Sequence, residues 1–60
     1  MRESAIADYA KRLLEAHGGK AEVEAAAKVR EFEEKNDAEQ AETWRRIRAT
    51  ISEMRGAPLS

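Results

Sequence analysis

The chain has no cysteine, one proline, three glycines and one each of Trp, Tyr and Phe in 60 residues. Without cysteine, no disulfide can staple it and no thiolate can hold zinc. The single His17 cannot build a metal site alone. No charge sign dominates: 11 basic side chains face 12 acidic ones, for a net charge of −1. That balance gives no global steering toward nucleic acid or an anionic membrane. Apolar runs reach only two to three residues, too short to span a bilayer. The opening MRESAIADYAKR lacks the apolar core of a secretory signal. The expectation is a cytosolic protein with no membrane partner. No nucleophile with a nearby base is evident, and HGGK is too short for a phosphate loop and follows no strand. The chain therefore reads as non-catalytic and free of cofactors and metals.

What is present is charge and helical periodicity. Charged residues make up 38% of the chain and alternate in sign, which is the pattern of a solvated helical surface. Three amphipathic segments emerge within a single domain spanning 1–60. The first covers about 3–17. Ile6, Tyr9, Ala10, Leu13, Leu14 and His17 share one face, with Asp8, Lys11, Arg12 and Glu15 opposite. Ser4 is a candidate N-cap, and Gly18 suits the left-handed position that ends a helix.

The second segment covers about 20–35. Ala21, Ala25, Val29 and Phe32 form its stripe, with Ala26 beside it and Val23 and Ala27 widening the apolar face. It is rich in strong helix formers but buries little area per residue. The third covers about 38–55. Asn36 can take the left-handed turn position, Asp37 can cap, and Gln40 three residues on makes a variant capping box. Gly56 and Pro58 stop the helix, leaving a loose tail over 56–60. Both connections are short, so neighbouring helices must run antiparallel. The fold class is all-α: an up-down-up three-helix bundle, or a helical hairpin with a third arm.

In the third segment Trp44, Ile47, Ile51 and Met54 lie within about 80° of one another, at heptad positions a, d, a and d. Arg48 and Arg55 border this seam, whereas Arg45 lies further round and Arg46 points away. Glu42 precedes Arg45 by three residues and Arg46 by four, which favours local ion pairs. The arginines therefore read first as a solvated, salt-bridged face. A second reading has Arg48 and Arg55 pairing with acids on a partner helix, for which Glu22 and Glu33 are candidates. A third has Arg45, Arg46 and Arg48, with Lys11 and Arg12, contacting nucleic acid, although a DNA-reading helix more often gathers its cations on one stripe.

Other residues carry two readings each. His17 could be a pH switch or a lone ligand, or a C-terminal capping residue whose ring covers the core edge. Trp44, Tyr9 and Phe32 could line a ligand pocket, or form core and subunit interface. Glu33, Glu34, Asp37 and Glu39 could hold a divalent cation, but no EF-hand order is present and solvated helix ends explain them.

The run YAKRLLEAHGGKA followed by AAAKVREFEEKNDAEQAETWRRI resembles a loose class of very short, uncharacterised bacterial helical proteins. The likeness covers roughly 9–51 and implies a small helical protein without a known activity. NDAEQAETW is also similar to the second half of a tetratricopeptide repeat, with Asp37 and Ala41 in matching places. Asn36 replaces that motif's glycine, and Trp44 comes one residue early for its usual aromatic. About three repeats are needed to bury their faces and only one fits here, so the likeness is one of packing.

A chain this size buries only about 60% of its unfolded surface. A lone copy should thus be weakly stable, and sharing the seam between subunits would add burial without adding chain. The resulting expectation is a helix-mediated protein–protein interaction module, a small regulator or accessory subunit that forms a homo-oligomer or binds a protein partner. Its interface would comprise Trp44, Ile47, Arg48, Ile51, Met54 and Arg55. The alternative is a small nucleic-acid-binding regulator using the arginines of the third helix.

Overall fold

The computed structural model describes residues 3–56 and the side chains of 4–56. It contains three helices: α1 (Glu3–His17), α2 (Lys20–Glu34) and α3 (Ala38–Met54). The expected three-helix bundle is the observed fold. Its envelope is 31 × 25 × 22 Å, little more in any direction than the roughly 25 Å length of a 17-residue helix. Pro58 and the tail beyond Gly56 lie outside the described residues.

Local chemistry explains each boundary. α1 is already under way at Glu3, so Ser4 sits in its first turn and does not cap it. At the other end Gly18 adopts φ +59° and its N–H donates to the Leu14 carbonyl at 2.7 Å.

α2 closes with a Schellman motif. Asn36 takes φ +61°, its N–H donates to the Glu33 carbonyl at 3.1 Å, and the Asp37 N–H donates to Phe32 at 2.8 Å. Asp37 then caps α3, its Oδ1 accepting from the Gln40 N–H at 3.2 Å. The reciprocal half of the capping box has no donor to use, because the Phe32 carbonyl already holds the Asp37 N–H.

The main core gathers Ile6 and Ala10 from α1, Ala21 and Ala25 from α2, and Ile47 and Ile51 from α3. Leu13, Leu14 and Trp44 pack against it, partly buried. Val29 and Ala41 are buried outside this cluster. The α2–α3 pairing is the most extensive in the fold, and α1 packs more on α3 than on α2.

Gly18 and Gly19 give a test of the first turn. A methyl added at either meets nothing within 4 Å, so only backbone conformation distinguishes them. Gly19 has φ −61° and ψ −19°, a conformation alanine adopts freely. Gly18→Ala should destabilise the chain by about 1–2 kcal/mol. Gly19→Ala should stabilise it by about 0.4–1 kcal/mol. Urea unfolding followed by circular dichroism measures both, and equal signs would contradict this account of the turn.

Candidate interaction surface

The third-helix seam divides in two. Ile47 and Ile51 are 1% and 0% exposed, enclosed by the chain's own α1 and α2. The surface expected to present them to a partner is therefore corrected, since these two side chains have none left to offer. Apolar periodicity marked the face they share, and α1 supplies its cover. Trp44 is half-buried at the margin of the same cluster. Its ring meets Tyr9 of α1 edge-on, with centroids 5.6 Å apart and planes at 82°. That is the favoured geometry for two aromatic quadrupoles. Tyr9 remains 40% exposed and Met54 42% exposed.

The charged flank also closes within one chain. Arg55 donates to Glu22 of α2 at 2.6 Å, and Arg45 donates to Glu33 of α2. These are the two acids that the sequence offered as partners for seam-flanking arginines. One pair joins α2 and α3 near their turn, and the other joins the opposite end of the hairpin. Arg45 also reaches Glu42 at 3.4 Å, and Arg46 reaches the other oxygen of Glu42 at 3.4 Å. The Glu33 hydrogen bond, ahead of all other causes, holds the Arg45 guanidinium above its ordinary range. Arg48 is exposed and has no ion pair among the described residues. Lys11 and Arg12 are likewise exposed, but on α1. Two of the three α3 arginines considered for nucleic acid, Arg45 and Arg46, are thus matched locally by acids.

Other side chains take places that the sequence left open or missed. His17 is exposed and does not cover the core edge. Its Nδ1 lies 3.2 Å from Glu24 Oε2, tying the end of α1 to the start of α2. Phe32 is half-buried beneath the Lys35 ammonium, 5.6 Å from the ring centroid. Val23, expected to widen the buried face of α2, is 69% exposed. Its wheel angle is the signal: it sits about 160° from Ala25, nearly opposite the buried stripe. Ala27, Arg30 and Glu34 share that outer face, where a shallow open depression of about 430 Å³ lies beside Ala26 and Glu31.

Among the described residues, no three of His, Asp and Glu gather closely enough to hold a metal ion. No described helix is long and apolar enough to cross a membrane. Comparison with known protein families, curated proteins and solved structures finds no match to this chain.

Glu31 makes the surface electrostatics measurable. Lys35 Nζ lies 3.1 Å from one of its oxygens and Lys28 Nζ 3.5 Å from the other. The Lys35 hydrogen bond, then the charge of Lys28, holds its carboxyl below the ordinary glutamate range. A carboxyl depressed on folding contributes stability that is complete above its unfolded pKa, about 4.3. That contribution is lost as pH falls through the lower folded value. Glu31→Gln should therefore cost stability at neutral pH and flatten the acid limb of a stability–pH profile. An unchanged acid limb would contradict the assignment. For Arg55 and Glu22, both partly exposed, a double-mutant cycle with alanine should give a coupling of about 0.2–1 kcal/mol, weakening with salt. Zero coupling at low ionic strength would remove the pair as a link between α2 and α3.

Proposed function

We propose that this chain is a non-catalytic, helix-mediated protein–protein interaction module, acting as a small regulator or accessory subunit. The observation that carries the reading is the Tyr9–Trp44 pair. Two of the chain's three aromatic rings stand together at the α1–α3 margin, one exposed and one half-covered. Aromatic rings are enriched at protein interfaces, where they supply large rigid contact area at low entropic cost. A core short of large apolar groups gains more from enclosing such rings than from exposing them. Arg48 lies one helical turn beyond Trp44 on α3 and carries an unmatched charge among the described residues, suited to setting which partner is accepted. Met54, at the end of the same helix, adds exposed apolar surface.

Trp44 is the sole tryptophan, so its fluorescence reports on this margin without labelling. Docking of a partner should shift its emission to shorter wavelength as water leaves the indole. Tyr9→Lys, at a position already exposed, should leave the helix content intact and weaken capture of that partner at least about tenfold. A partner bound equally well by wild type and Tyr9→Lys, with no change in emission, would place the contact elsewhere. Complete loss of binding on moderate salt addition, with nucleic acid as the captured species, would favour the arginine-based reading.

A further inference from the structure

The outer face of α2 carries charges that are wrongly placed for an isolated helix. Lys20 is its first residue and Glu34 its last. A helix dipole favours the opposite arrangement, with acids at the start and bases at the end. Among the described residues neither has an ion-pair partner within the chain, and neither does Arg30 between them. All three are exposed and share this face with Val23 and Ala27.

The positions are symmetric about Ala27, with Lys20 seven residues before it and Glu34 seven after. We infer that α2 pairs antiparallel with α2 of a second copy about a two-fold axis at Ala27, with Lys20 of each copy bound to Glu34 of the other. This rests on the reading of the chain as an interaction module and names a surface and a partner for it.

Charge selects the orientation and the register. A parallel pair would set Arg30 against Arg30 and Glu34 against Glu34. An antiparallel pair shifted four residues toward the N-terminus would bring Lys20 against Arg30. With the axis at Ala27, two methyl groups meet and let the backbones approach closely. The Arg30 stem then lies along Val23 of the other copy and covers its exposed surface. Glu24 and Glu31 fall at the flanks of this seam. Glu31's charge is engaged within the chain by Lys28 and Lys35, and Glu24 lies 3.2 Å from His17 Nδ1.

The same dipole makes the test clean. Lys20→Glu and Glu34→Lys each place the favoured charge at a helix end, so neither should harm the fold. Each should nevertheless weaken association about tenfold or more, because two like-charged contacts replace two attractive ones. The double reversal restores both pairs and should recover wild-type association to within about threefold. Sedimentation equilibrium from micromolar to millimolar protein measures this, with circular dichroism checking the fold.

The absence of native cysteine allows a second readout. Ala27→Cys should oxidise to a covalent dimer, since a bridge needs Cβ atoms about 3.5–4.5 Å apart. Ala49→Cys, exposed on α3, should not. A monomer at all concentrations, singles without effect, a double reversal that fails to rescue, or equal cross-linking at both cysteines would overturn the inference. Tyr9→Lys separates the two claims. If it abolishes partner capture while the α2 variants do nothing, the interaction module stands and the α2 pairing falls.

Discussion

The fold depends on how closely α2 and α3 can approach. Ala21 and Ala25 on α2 and Ala41 on α3 are all buried, so much of what these helices hide is methyl groups. Methyl contacts contribute little hydrophobic stabilisation each, but they let two backbones pack at short range. The larger side chains must then lie where α1 crosses the pair. Ile47 and Ile51 share one buried cluster with Ile6 and Ala10 of α1 and Ala21 and Ala25 of α2, and Leu13 and Leu14 of α1 pack against that cluster. α1 is thus a lid that supplies much of the bulk the hairpin lacks. The hairpin's ends are marked by charge, Glu33 with Arg45 at one and Glu22 with Arg55 at the other. Such partly exposed pairs fix register more than they add stability.

That division of labour explains why some features were legible in the sequence and others were not. The turn between α2 and α3 was readable because its chemistry is local: Asn36 tolerates a positive φ and Asp37 reaches the Gln40 N–H. The same holds for Gly18. Ser4 does not cap because Glu3 before it is already helical, and a capping residue type says only where a helix can begin. Periodicity showed that Trp44, Ile47, Ile51 and Met54 share a face. It could not show whether the cover comes from the same chain, since an apolar stripe is identical in a bundle and in an interface. Glu22 and Glu33 were recognisable as counter-charges for the third helix, but their chain of origin was equally open. Val23 lies off the buried stripe and was expected to widen the apolar face, but its angle turns it to solvent.

The two apolar surfaces left over have different origins. The Tyr9–Trp44 margin is where α1 ends its cover of α3, a boundary made by tertiary packing and invisible in any one helix. The α2 outer face is a property of a single helix, legible from residues three and four apart once its inner face is known. Its charges matter more than its apolar content. A helix gains nothing by itself from a lysine at its start and a glutamate at its end, so these residues are informative where a dipole-matched pair would not be.

Because the two surfaces lie on different helices, occupying one leaves the other open. A chain paired through α2 would carry the Tyr9–Trp44 margin twice, related by the two-fold axis. A partner with two matching sites would then bind its second margin at an effective concentration set by their spacing, and not by the bulk solution. Each margin alone is small, built on one exposed and one half-buried ring. Under the α2 pairing, doubling it would strengthen binding without a larger core.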